Sequence, residues 1–446
     1  MDHRGQFDEA LSLHEEVVEW RRAQFGEEHE HTITVLSDLA TLLERQGKLT
    51  EAEPICRAVL AARRRMFGED HLTTLVSLNN LAGLLQAQNR QEEAAACFRE
   101  VVEKRRRILG DVHPRTLNAI KNLGTVLGKV GKRKEAEALM RESLENQRRL
   151  LGADHPGTLV SLSNLAVFLV DEKRLDEAEP MCRDALERRR RVLGENHKDT
   201  MASYNIMGYV LMNQDREAEA EPFVRQTLAI CRRVLGPDHP DSFLYAHNLA
   251  VLLLNQVDVA ALRGPAEHGR SDEQNAAAEA AQNRLTEVEQ LLRGVIEDGR
   301  RAIGAEHAIV LSAARRLGGT LLEQVRFADA RDVLAAVEPA ARKAYQGAQQ
   351  RSLALVIRNL GRAQVGLGEF AAAEPNLIEA QEIFERLDGA AHPNTRYCSE
   401  QLIELYQRWH TAEPDRGLDA RLTQWQQRLD AAMASTQPTS QPQSPP

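Results

Sequence analysis

Between Glu177 and Leu193 the residues Ala178, Met181, Cys182, Ala185 and Leu186 fall at positions i, i+3, i+4, i+7 and i+8 with charged residues between them, the stripe of an amphipathic helix. A second stretch with the same period, carried by Leu75, Leu78, Leu81, Ala82 and Leu85, is also helical. Stretches of the two kinds alternate along most of the chain. Gly26, Gly68, Gly110, Gly152, Gly194 and Gly236 close the first kind at intervals of 42 residues, and Gly304, Gly347 and Gly389 resume the series within one residue after a single insertion. Glycine at such a place is a helix C-cap. The other junction carries Gly47, Asn89, Gly131 or Gly368, which accept the left-handed backbone of a tight turn. The pattern predicts one helix pair every 42 residues. Propeller blades of similar length would need four alternating strands each, and neither such runs nor a Trp-Asp pair occurs.

The helices that end on glycine open acidic and close basic, in the order that suits the helix dipole. Glu51 and Glu53 lead to Arg63, Arg64 and Arg65, and Glu177 and Glu179 lead to Arg188, Arg189, Arg190 and Arg191. In the other helix, Leu81-Ala82, Leu123-Gly124, Leu165-Ala166, Leu249-Ala250 and Leu360-Gly361 put a small residue where two helices must approach closely. Three recurring runs stand out: Leu78-Asn79-Asn80-Leu81-Ala82, then Glu177-Ala178-Glu179-Pro180, then Leu151-Gly152-Ala153-Asp154-His155-Pro156-Gly157-Thr158. With these runs the chain resembles the kinesin light chain type of tetratricopeptide repeat over about residues 7 to 408, each unit being lengthened over the usual ~34 residues. The resemblance implies a solenoid whose first helices line a concave groove, and a scaffold rather than an enzyme.

The fold expected is all-α, a right-handed superhelical solenoid of about nine helix pairs. Residues 1–26 form a half repeat, a second helix without its first, so the chain begins part-way into a unit. This fits either a piece of a longer protein or an end used for self-association. Residues 27–255 are regular repeats. The Glu-Ala-Glu position then moves from Glu219 to Glu287, a step with 26 residues more than the repeat, which predicts an inserted helical hairpin extension at 256–286 with both helices lengthened. Ser271 with Gln274 reads as a capping box. Residues 287–433 hold the C-terminal repeats and closing helices, and the Ser, Thr, Gln and Pro of 434–446 predict a disordered tail.

Composition narrows the function classes. Lys+Arg number 57 against 66 Asp+Glu, a net charge of −9, which disfavours nucleic acid as the partner of the arginine ladder and favours dipole compensation and surface pairing. No apolar run approaches a membrane span and no signal peptide opens the chain, so the expected location is cytoplasmic, away from membranes. Cys56, Cys97, Cys182, Cys231 and Cys398 are odd in number and far apart, and read as small core residues. His29, His71, His113, His155, His197, His239, His307 and His392 recur once per repeat. One histidine per repeat does not converge on an ion, so they read as capping residues at the start of the following helix, not as metal ligands. No phosphate-cradling loop, zinc-protease helix or nucleophile elbow is present; no cofactor, metal site or catalytic residue is expected.

The remaining signal lies on the first helices. Asn80, Asn122, Asn164 and Asn248 stand two residues before the small position, and Asn79, Lys121, Asn205, Arg315 and Arg358 three before it, with Arg362 one after. Amides both donate to and accept from a peptide backbone, whereas in the alternative they tie neighbouring repeats together. The expected function is a non-catalytic protein-protein interaction scaffold that holds an extended partner segment, with Arg315, Arg358 and Arg362 favouring acidic segments. The alternative is a regulatory or self-assembling module of a larger signalling protein that uses its open N-terminal end.

Overall fold

The computed structural model describes residues 3–45, 48–258 and 271–434. Among the described residues the chain is all helical, with nineteen α-helices, two short 3-10 turns and no strand. It divides into two compact units, Met1–Leu235 and Gly236–Pro446.

In the first unit α1 (His3–Phe25) precedes five helix pairs: α2 (Glu30–Arg45) with α3 (Leu49–Phe67), α4 (Leu72–Ala87) with α5 (Gln91–Leu109), α6 (Pro114–Lys129) with α7 (Arg133–Leu151), α8 (Pro156–Asp171) with α9 (Leu175–Leu193), and α10 (Lys198–Asn213) with α11 (Glu217–Val234). Each first helix has 16 residues and each second helix 18 or 19. The second unit pairs α12 (Pro240–Asn255) with α13 (Asp272–Ala302), α14 (Ala308–Glu323) with α15 (Phe327–Ala344), α16 (Gln350–Leu367) with α17 (Phe370–Asp388), and α18 (Pro393–Ala412) with α19 (Asp419–Ala434). Within each unit every helix packs on the next, and first helices also touch at α6–α8, α8–α10, α12–α14, α14–α16 and α16–α18. The core is the row of leucines and alanines this brings together, such as Leu75, Leu78, Leu81 and Ala82 on α4 and Leu159, Leu162, Leu165 and Ala166 on α8, all buried.

The glycine series has a sharper role than an ordinary left-handed cap. Gly68, Gly110, Gly152 and Gly194 have φ of 84 to 89° and ψ of 162 to 171°, an extended conformation with positive φ that is essentially restricted to glycine. The carbonyl of that glycine then accepts a hydrogen bond from a hydroxyl six residues on: Thr74 to Gly68, Thr158 to Gly152, Thr200 to Gly194 and Thr395 to Gly389, at 2.8 to 2.9 Å. Between glycine and threonine, the histidine caps the next first helix. The Nδ1 atoms of His71, His113, His155, His197, His239, His307 and His392 each accept from the backbone N–H two residues later, at 3.1 to 3.3 Å. The Gly-x-x-His-x-x-Thr spacing is thus one turn that closes one helix and starts the next.

The small positions work as close approaches. A Cβ on Gly318 would lie 2.6 Å from Leu334 Cγ, and one on Gly361 would lie 2.7 Å from Leu377 Cγ. At the other junction Asn89, Gly131 and Gly368 adopt positive φ as the sequence predicts, and so do Lys173, Asp215 and Val325. Gly47 and the tail 435–446 lie outside the described residues.

The insertion differs in part from the expectation. α12 ends at Asn255 with the 16 residues of its counterparts, so it is not lengthened, whereas α13 runs for 31 residues from the predicted Ser271–Gln274 capping box. An early capping box simply starts the second helix sooner. The tip of the expected hairpin, 259–270, lies outside the described residues.

Candidate functional site

In the first unit the predicted amides lie along the first helices. Among the described residues no hydrogen-bond partner meets the side chains of Asn80, Asn122, Asn164 or Asn205, all partly buried, and the Oδ1 of Asn79 is buried without one. The tie between repeats that the alternative required is therefore not made by these residues. Lys121 is exposed.

The position three before the small residue is not uniformly free, however. Ser163, which belongs to that series, is buried and accepts a hydrogen bond of 3.0 Å from Arg189 Nη1, which also donates to Ser203 at 2.6 Å. Arg189 is only 4% exposed. It is an internal clasp between α8, α9 and α10 and not, as the run of arginines suggests, a surface charge. Burial lowers its pKa and that of Arg105, which donates to the Arg115 carbonyl at the same register.

Arg63, at the same register, is half-buried and donates to Ser77 at 2.7 Å, whereas other arginines of the ladder are on the surface and paired. Arg65 meets Glu28, Arg107 meets Asp70 and Arg191 meets Asp154, at 2.6 to 2.7 Å, each across one repeat. Arg64 and Arg190 pair with Glu69 and Glu195 in the following loop. A ladder neutralised by its own loops has little left to offer a phosphate backbone.

The second unit brings three predicted residues together. Arg315 and Arg316 on α14 and Arg358, Asn359 and Arg362 on α16 line a cavity of ≈ 740 Å³. Leu254 and Val257 at the end of α12 and Gln282 and Leu285 on α13 form another wall, and Gly319, Thr320, Glu323, Gln324 and Val325 complete it. Gln282 lies in the part of α13 that its early start supplies, and Leu285 at the position where an ordinary second helix begins, so the insertion helps to build the cavity. Arg358 is held at 5.0 Å over Tyr397 and 5.7 Å over Phe384, while Arg362 lies 5.5 Å over Tyr397 and 3.4 Å from Glu323. These stacking contacts suit a planar guanidinium. Among the described residues Arg315 and Arg316 meet no carboxylate. Burial, and then the like charge of Arg316, lower the pKa of Arg315; burial likewise lowers that of Arg358. Asn248 is exposed, outside this cavity, and hydrogen-bonds His247. His247 lies 3.1 Å from Ser312 and is held below its usual pKa by burial.

Tetratricopeptide repeat models match residues 3–55, 34–107 and 113–169, and a second such model matches 158–199 and 200–241, together just over half of the chain. The chain belongs to the tetratricopeptide repeat family. Similar solved structures include a putative kinesin light chain with nearly identical TPR-like repeats from Podosopora anserina, 22% identical, covering 46% of this chain and 99% of that one with a TM-score of 0.40. BtubC (BKLC) from P. vanneervenii is 21% identical, covering 52% of this chain and 94% of that one, with a TM-score of 0.42. A Rap protein complexed with competence and sporulation factor is 14% identical, covering 82% and 94%, with a TM-score of 0.39. No curated protein matches the chain. Among the described residues of this tetratricopeptide repeat chain, no helix is long and apolar enough to cross a membrane.

The arginine cluster was legible because its members share one helix register. Asn359 and Val325 were missed as site residues. One reads as another amide of the series and the other as a turn residue, and only the packing of α13 and α16 on α14 brings them to one cavity.

Proposed function

We propose that the chain is a non-catalytic scaffold that binds an extended segment of a partner protein along its first helices. Tetratricopeptide repeats generally mediate protein-protein interactions, and the reading here is supported most by the row of amides left without hydrogen-bond partners at Asn79, Asn80, Asn122, Asn164 and Asn205. Such groups satisfy a peptide backbone without demanding a sequence. Arg315, Arg358 and Arg362 give the second unit a preference for acidic segments in a protein that is acidic overall. A cytoplasmic location accords with this reading. A second reading, self-association through α1, is favoured by the exposed Leu13, Val17 and Trp20.

The test is capture of acidic and neutral peptide libraries by the intact chain. Arg315→Glu with Arg362→Glu should weaken acidic peptides, while Arg190→Glu with Arg191→Glu should not. Arg358 is left in place because its stacking on Tyr397 and Phe384 also supports the fold. Equal loss from both pairs would mean that total charge, not the groove, sets affinity, and a concentration-dependent mass in the absence of peptide would favour self-association.

A further inference from the structure

The cavity of the second unit is unlike the open amide row. Four guanidinium groups, those of Arg315, Arg316, Arg358 and Arg362, face it against the one carboxylate of Glu323. Guanidinium groups gathered this closely repel one another and lose hydration, a cost that an enclosed anion offsets. Three further observations point to a ligand. The Nε atoms of Arg316 and Arg358 are buried without a hydrogen-bond partner. Asn359 is only 6% exposed and lines the cavity, where its Nδ2 is the group able to donate to an anion. The Asn359 amide lies over Gly319, with Nδ2 3.6 Å from where a Cβ would stand, so the cavity wall there is bare backbone. The same cavity is also lined by the apolar side chains of Leu254, Val257, Leu285 and Val325.

The chemistry of this lining selects among anions. A lone carboxylate would leave most of the positive charge unanswered. A phosphoryl group carries close to two negative charges and three acceptor oxygens, which matches several planar, multidentate donors. The volume, ≈ 740 Å³, is within the range of small-molecule sites and leaves room for an organic part against the apolar side chains. We propose that this cavity is a binding site for a phosphate monoester with an apolar or aromatic substituent. The ester is either a free small molecule or a phosphorylated side chain of the partner segment. Arg315 and Arg316 take the phosphoryl oxygens, Asn359 Nδ2 donates to one of them, and Leu285 and Val325 cover the substituent. The site shares Arg315, Arg358 and Arg362 with the proposed acidic-segment groove but does not need that groove: a phosphate ester that binds while unphosphorylated acidic peptides do not would retain the site and remove the groove preference.

The experiment is calorimetric titration of the full chain at low and physiological salt with phenyl phosphate, benzoate, inorganic phosphate and a phosphoserine peptide. Phenyl phosphate should bind about tenfold or more tightly than benzoate, as expected for a charge-assisted, multidentate contact. It should also exceed inorganic phosphate because of the apolar side chains. Arg315→Gln with Arg316→Gln should reduce its binding at least tenfold, whereas the equal charge change Arg300→Gln with Arg301→Gln, at the far exposed end of α13, should leave it unchanged. If the arginine variant fails to fold by its melting curve, Gln282→Glu serves instead. It adds a repelling carboxylate at an exposed lining position without removing packing and should weaken binding by a similar factor. Displacement of phenyl phosphate by the phosphoserine peptide assigns the ester to a partner protein, and its exclusion assigns it to a free small molecule. Equal affinity for benzoate and phenyl phosphate, equal loss in both arginine pairs, or no binding of phenyl phosphate at low salt would overturn the proposal.

Discussion

Arg174 Nη1 lies 2.6 Å from Glu137 Oε2, thirty-seven residues earlier, while the same guanidinium holds Glu177 three residues later. Arg90 joins Glu53 and Glu93 in this way, Arg216 joins Glu179 and Glu219, and Arg326 joins Glu289 and Asp329. Each arginine stands at the N-cap of a second helix and clasps the preceding second helix to its own first turn. Isolated exposed pairs contribute little, but the same bifurcated pair repeated along an array fixes the step from one repeat to the next.

Acid should loosen this stitching. Hydrogen bonds from Arg90, then Arg57, hold the Glu53 carboxyl at about 2, against an ordinary 4.5. A folded-state pKa below the unfolded one means that its contribution is fully present above pH 4.5 and is lost as pH falls through about 2. Urea midpoints measured between neutrality and the acid limb should therefore fall with pH, and Glu53→Gln should flatten that fall. An identical slope in the variant would remove Glu53 from the account.

Gly318→Ala tests the close approach of paired helices. The new methyl carbon would lie 2.6 to 2.7 Å from three Leu334 side-chain atoms on α15, so the two helices must part or Leu334 must leave its rotamer. A loss of about 1–3 kcal/mol in unfolding free energy is expected despite the better helix propensity of alanine. Leu334→Ala should remove most of the clash, so a double-mutant cycle in denaturant should show a favourable coupling between the two changes. Additive effects would show that the contact is not felt.

Much of this architecture can be read from residues alone because its constraints are local and recur. Gly152 needs a backbone only glycine adopts, His155 must cap three residues later, and the small residue at Ala166 must lie where two helices meet, so each leaves a mark at a fixed interval. The burial of Arg189 leaves no such mark: Arg188, Arg190 and Arg191 look the same in sequence, and only the inward turn of one helix position toward Ser163 and Ser203 distinguishes it. The cavity was half legible. Arg315, Arg358 and Arg362 share a face by spacing, but the wall supplied by Gln282 and Leu285 depends on where α13 starts and how it packs, which is a tertiary matter.

The histidine caps can be removed one at a time. His155 Nδ1 accepts from the Gly157 N–H at 3.1 Å and satisfies one of the free donors at the start of α8. His155→Ala should cost about 1 kcal/mol, whereas His155→Asn, whose side-chain oxygen can accept the same bond, should cost only a fraction of that. Chemical denaturation of the three proteins measures both. Equal losses in the two variants would assign the histidine a role other than capping.

Val325 is the residue whose replacement links stability to the cavity. It has φ of 60°, the left-handed region that a β-branched side chain adopts only under strain, and 67% of its surface is exposed where it lines the cavity. The same turn in another repeat uses Asn89, which tolerates that backbone. Nothing in the packing of α14 on α15 requires a valine there, since the side chain points away from the core. Val325→Asn should therefore stabilise the chain by about 1 kcal/mol, the usual relief on removing such strain. If the exposed isopropyl group covers a bound substituent, as proposed, the same change should lower phenyl phosphate affinity several-fold. A gain in stability with unchanged affinity would leave the strain real and take Val325 out of the site. Unchanged stability would mean that the turn accommodates valine without cost.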